Sequence, residues 1–230
     1  MAKDKRDHLR RLDAKAYQGL AQVHWILTID QRKQGWLSST FCLTFRELLT
    51  HTLARYHLCC PVFCLMPDHL HLIWIGWNER ADQRNAMKHL RQHSNRVLER
   101  TGHRMQKQAY DHVLRESEKS RDSLSTLVDY IQANPVRSQL CQDHTQYPYT
   151  GCLLPGYPEV DVWDPDFWDR FWRIYSTVVE RDWVTPIIHR RGRPKTSPPH
   201  PQWNSRESLY TTFIHPIVEA VPRLPLSIPS

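Results

Sequence analysis

Two apolar runs broken only by Pro67-Asp68 constrain this chain more than any other stretch: Cys64-Leu65-Met66 on one side, His69-Leu70-His71-Leu72-Ile73-Trp74 on the other. Proline fixes φ and aspartate can bond its own backbone, so residues 61–75 read as two strands joined by a tight turn. A hairpin this apolar needs a sheet around it. Period-two geometry then puts His69 and His71 on one face and Leu70 on the other. Two imidazoles on one strand are half of a metal site. The chain holds 14 histidines, so a chance pair explains the spacing as well.

The flanking sequence supplies the rest of an α+β domain. Val23 to Ile29 is β-branched and apolar and reads as a first strand, followed by a polar loop over 30–35. Thr44 with Glu47 has capping-box spacing, and Leu48, Leu49, Leu53 and Tyr56 continue at helical intervals. A second helix spans 81–99, with Gly102 behind it. Its polar face carries Arg84, Lys88, Arg91 and Arg96, a solvated face by default. Near a metal site it could also hold a phosphate backbone. Tyr110 to Arg115 is extended, 117–123 is a polar connector, and Leu124 to Ala133 is a helix stopped by Pro135. A surface loop follows over 147–157. Residues 165–179 form a helix with a broad aromatic stripe, Phe167, Trp168, Phe171, Trp172 and Tyr175, suited to core or docking.

The 230 residues are 40% hydrophobic, enough for one domain with an appendage. A net charge of +7 with nine Trp and nine Tyr favours a polyanionic partner, nucleic acid first. No apolar run reaches the ~18 residues of a membrane span, and the charged first residues are not signal-like. The six cysteines form no CxxC pair or regular framework and read as buried thiols of a cytoplasmic protein.

A second stretch, Asp129-Tyr130-Ile131-x-x-Asn134-Pro135-Val136-Arg137, places Tyr130 and Asn134 four apart, on one helical face. A phenol can attack phosphorus and form a covalent intermediate, although a lone helix tyrosine is more often simply packed. Read with Met66-Pro67-Asp68-His69-Leu70-His71-Leu72-Ile73 and with Tyr110-Asp111-His112-Val113-Leu114-Arg115, it resembles the HUH single-tyrosine transposases, the IS200-like family. Within that family it is most similar to the REP-associated tyrosine transposases. The three motifs stand in the family's order and cover roughly residues 20–150. One departure is Met105-Gln106, where relatives often carry Trp-Gln.

The resemblance implies a ferredoxin-like α+β domain, here residues 16–180, with a central antiparallel sheet flanked by helices. It implies a transposase that cleaves and rejoins single-stranded, hairpin-associated DNA through a covalent 5′-phosphotyrosine, leaving a free 3′-hydroxyl. By motif match Tyr130 is the nucleophile, His69 and His71 hold a divalent metal (Mg2+ or Mn2+), and Asn134 takes the place of a third, amide ligand. Tyr110 is the rival nucleophile and lacks a helix-mate to reach the metal. The expected setting is cytoplasmic and nucleoid-associated, as monomer or homodimer. Two alternatives remain open: a domesticated hairpin-DNA or RNA binder without turnover, and a phosphoesterase using the histidines with water.

Residues 181–230 form a Pro-rich basic tail. In it Arg190-Arg191-Gly192-Arg193-Pro194-Lys195 looks like an AT-hook. Glycine lets the backbone lie flat in the minor groove of A·T-rich duplex while the arginines reach its negative potential. A generic basic linker fits the composition too.

Overall fold

The computed structural model describes residues 11–184. The AT-hook-like residues Arg190, Arg191, Gly192, Arg193 and Pro194, and the lead-in over 1–10, lie outside them. Strand β1 (Gln22–Thr28) is followed by helix α1 (Ser39–Arg55) and strands β2 (Leu58–Leu65) and β3 (His69–Gly76). Helix α2 (Gln83–Leu98) and strand β4 (Tyr110–Val113) complete a βαββαβ series. The sheet order is β4-β1-β3-β2-β5, and every pairing is antiparallel. Its first four strands follow the ferredoxin-like order, so the fold is α+β as expected. The fifth, β5 (Thr150–Leu153), falls inside the segment read above as a loop. Four residues containing Gly151 give little strand signal. The position demands a small residue, because a Cβ there would stand 3.0 Å from Phe63 Cζ.

Alternation along the strands divides the interior in two. Val23, Trp25 and Leu27 of β1 and Leu70, Leu72 and Trp74 of β3 lie in one core with Phe45, Leu49 and Leu53 of α1 and Met87 and Leu90 of α2. Ile73 and Ile75 of β3 lie in the other, under Leu124, Val128 and Ile131 of α3 (Arg121–Gln132) and Phe167 and Phe171 of α5 (Phe167–Val184). Each fully buried Leu, Phe or Ile contributes roughly 1.5–3 kcal/mol. Pro61 stands inside β2, between two paired neighbours, where a missing N–H should break a ladder. The register shifts there against both β3 and β5. This bulge also switches parity: Leu58 and Cys60 face the first core before it, Phe63 and Leu65 after it.

Helix boundaries differ from the sequence reading in three places. Helix α1 begins at Ser39, because the Ser38 hydroxyl accepts from the Phe41 N–H at 3.2 Å. Thr44 is therefore not a cap; its hydroxyl donates to the Thr40 carbonyl one turn back. Helix α3 likewise starts within the supposed connector, capped by Ser120. After Ala133 the chain makes one more turn, α4 (Asn134–Arg137), instead of stopping at Pro135. Proline at the start of a helix loses only a donor that would be unpaired anyway.

Candidate active site

The central turn is a two-residue loop. Met66 N–H donates to the His69 carbonyl at 2.7 Å, and Leu65 stands opposite Leu70. That closure fixes the phase of β3, so His69 and His71 project from the sheet face opposite α1 and α2. His71 is buried, and His69 is partly exposed at the strand's start. Their Nε2 atoms stand 3.0 Å apart.

What lies behind each ring decides what those nitrogens present. His69 Nδ1 is 2.6 Å from Asp68 Oδ1. Asp68 also accepts from Arg32 at 2.8 Å. Burial would raise the Asp68 carboxyl, but the hydrogen bonds from His69 and Arg32 outweigh it and hold its pKa below the usual value. An ionised carboxylate only accepts, so this contact places a proton on His69 Nδ1, the tautomer whose Nε2 can serve as a ligand. Arg32 reaches Asp68 from a turn in which Gln31 and Arg32 have φ of 57° and 52°. That backbone costs about 1–2 kcal/mol per residue.

His71 Nδ1 faces His24 Nε2 at 3.0 Å, with the rings stacked at 5.2 Å. Burial, then the neighbouring His24 and His69, lowers the His71 pKa to about 3. Burial, then His112, lowers that of His24 to about 4. Both rings are neutral at pH 7. With its proton on Nδ1, His71 donates to His24 and also turns a lone pair outward from Nε2. At 3.0 Å the two Nε2 atoms are within hydrogen-bond distance, with the roles set by the tautomers; with both protons on Nδ1, two lone pairs converge there, an arrangement that a cation would satisfy. Two ligands about 2.1 Å from one ion and at right angles to each other are about 3.0 Å apart, so the pair fits a divalent metal. Among the described residues no group of three or more His, Cys, Asp or Glu is placed to hold a metal. The remaining positions would fall to an amide, water or phosphate oxygen.

Tyr130 lies near the end of α3, 48% exposed, with the Arg137 guanidinium 4.5 Å over its ring. That contact orients the ring and leaves guanidinium donors for a phosphate. Asn134 opens α4, and its Nδ2 is buried without a hydrogen-bond partner. Among the described residues no hydrogen bond joins Tyr130 or Asn134 to either histidine. Tyr110 is 49% exposed on β4. Its cross-strand neighbour Ile26 also faces His71, so Tyr110 shares the histidine face. The cations read on helix 81–99 are elsewhere. Arg84, Lys88 and Arg91 stand on α2, which packs on the opposite face of the sheet. They are therefore not beside the histidines, as the sequence suggested.

Sequence reasoning did not single out His24 or Arg137, and it read Asp68 as a turn residue alone. His24 carried one available signal, its place in phase on a strand, lost among many histidines.

A model of the IS200-like transposases matches residues 17–134, just over half of the chain. No curated protein matches. Among solved structures, a REP-associated tyrosine transposase bound to a REP hairpin shares 16% identity over 62% of this chain and 81% of that chain, with a TM-score of 0.52. At that identity the likeness shows the fold.

Proposed function

Because the chain belongs to the IS200-like transposase family, we propose that it cleaves and rejoins single-stranded, hairpin-associated DNA through a covalent tyrosine intermediate. The observation that carries this reading is the pair of imidazole nitrogens converging at 3.0 Å, each oriented from behind by Asp68 or His24. The similar solved structure is bound to a REP hairpin, which supports a hairpin as the substrate. His69 and His71, with Asn134 as the amide ligand, would hold Mg2+ or Mn2+. When bound, the ion would polarise the scissile phosphate.

The chain's own residues do the rest. The Tyr130 oxygen attacks phosphorus, forming the O–P bond as the bond to the 3′ oxygen breaks. The phenol proton leaves to solvent, and the 3′ oxygen takes one up. Among the described residues no carboxylate or imidazole hydrogen-bonds the Tyr130 hydroxyl, so no protein base is assigned. Its exposure lets a strand reach it. Tyr110, exposed on the histidine face, offers a ring on which an unpaired base can stack.

The test is incubation with labelled single-stranded hairpin DNA and manganese, resolved on a denaturing gel beside Tyr130→Phe and His69→Ala. A DNA-linked protein band is expected for the wild type alone. A linked band with Tyr130→Phe would refute the nucleophile. Cleavage without any linked band would mean that water attacks instead.

A further inference from the structure

A second group of imidazoles lies where α1 and α2 pack together, on the sheet face away from His69 and His71. His89 and His93 stand four residues apart on α2, so they share one face of the helix. Their ring centroids are 4.3 Å apart. Two imidazoles at this helical spacing can share one ion. Both side chains are half-buried.

Thr52 of α1, fully buried, decides which nitrogen His89 presents. Its hydroxyl has one hydrogen, and the Leu48 carbonyl stands 2.7 Å away to accept it. Oγ1 is left to accept from His89 Nδ1 at 3.1 Å. This contact places a proton on Nδ1, the tautomer whose Nε2 can serve as a ligand. The Tyr56 ring meets the same imidazole edge-on at 5.7 Å and holds it from the side.

The surroundings keep both rings unprotonated. Burial, then His93, Arg55 and His51, lowers the His89 pKa. Burial, then Arg96, lowers that of His93. At pH 7 the two rings therefore offer lone pairs. The same cations oppose any metal, so only an ion that bonds strongly to imidazole can win there. Mg2+ and Mn2+ prefer oxygen ligands, whereas Zn2+, Ni2+ and Cu2+ suit imidazole. Among the described residues no group of three or more His, Cys, Asp or Glu is placed to hold a metal. The other coordination positions would fall to water.

We propose that His89 and His93 form a second metal site, for Zn2+ or a similar imidazole-binding transition ion, apart from His69 and His71. It stands independently of the function proposed above. An ion on His89 Nε2 needs the proton on Nδ1, and that proton is the one that ties α2 to Thr52 of α1. Metal and interhelical hydrogen bond therefore reinforce each other.

The full chain, with isotopically labelled histidines, is titrated with Zn2+ in the absence of DNA. Ring nitrogen shifts are read residue by residue, so binding at His69 and His71 is scored separately. The His89 and His93 rings should respond together, with one apparent Kd, and His89 should keep its proton on Nδ1. Mg2+ at the same concentrations should move neither ring. Thr52→Val removes the acceptor but leaves both imidazoles, and should weaken Zn2+ about 10–100-fold. His93→Gln keeps the His89–Thr52 bond and removes a ligand, and should weaken Zn2+ by more than that. Unchanged His24 and His71 shifts check that each variant is folded. Uptake of Zn2+ with both rings unmoved would mean an adventitious ion only and would overturn the site. Wild-type affinity at His89 in His93→Gln would overturn the pair, and an equal response to Mg2+ would overturn the class of ion. Wild-type affinity in Thr52→Val would overturn the coupling to α1.

Discussion

His24→Leu removes the one hydrogen-bond partner of His71 Nδ1 among the described residues, and the ring stacked on His71, while keeping an apolar side chain at a buried position. The buried N–H it abandons costs about 1–3 kcal/mol. If His71 escapes by moving its proton to Nε2, the lone pair turned towards His69 is lost. Either way, divalent metal should bind about 5- to 150-fold more weakly, at about 1.4 kcal/mol per decade. That range brackets the 10–100-fold typical of residues that orient a ligand from behind. The assay is titration with Mn2+, following free manganese by electron paramagnetic resonance, with no DNA present. His24→Gln, whose amide oxygen can accept from Nδ1, should recover most of the affinity. Nitrogen chemical shifts of His71 should report its proton on Nδ1 in the wild type. Wild-type affinity in His24→Leu, or a Gln variant no better than Leu, would refute the argument from tautomers.

Three further outcomes are expected. A Cβ on residue 76 would lie 1.8 Å from the Gly19 carbonyl oxygen and 2.9 Å from Ala81 Cβ. Gly76→Ala should therefore cost about 3 kcal/mol or more and lower Tm by roughly 6–12 °C; a shift within 2 °C of wild type would contradict the packing. His24 and His71 take up protons near pH 4 and 3 when folded, against about 6.5 when unfolded. Acidification below 6.5 therefore protonates the unfolded chain first, and stability in urea should fall by up to about 1.4 kcal/mol per pH unit for each ring. His24→Gln should fall less steeply over pH 4–6.5, and equal slopes would count against the burial. Deletion of residues 186–230 should weaken binding to A·T-rich duplex and spare single-strand cleavage, by gel shift and cleavage assay; unchanged duplex affinity would make the tail a linker.

The strands and helices that form the cores announced themselves by period. Val23 to Ile29, the runs either side of Pro67-Asp68, and Leu124 with Val128 and Ile131 bury the faces their spacing required. Helix starts were less legible. Thr44 and Glu47 satisfy the capping-box spacing, yet the buried set already begins at Phe41, and only packing reveals that Ser38 caps it. Strand β5 was invisible because Gly151 fits the space left by Phe63 rather than any strand preference. At the site, the His69 and His71 pair could be read from their spacing. His24 could not be linked to them, because it reaches His71 from another strand, 47 residues away in the chain. The α2 cations were read as a charged face, but only the tertiary structure shows which side of the sheet they occupy.

The Pro61 bulge shows what a single extra residue does to a strand: everything beyond it turns to the other side. Between Asp68 and Ile75 there is no such device, and the two-residue loop leaves no slack ahead of it. The site therefore depends on chain length as much as on residue identity. Many substitutions near the turn would leave the imidazoles where they are. Inserting or deleting one residue between Asp68 and His71 would send Leu72 to the histidine face, or bury an imidazole under α1 and α2. Deep insertion-and-deletion scanning across residues 61–76 should thus find tolerance to many substitutions and almost none to single-residue changes in length.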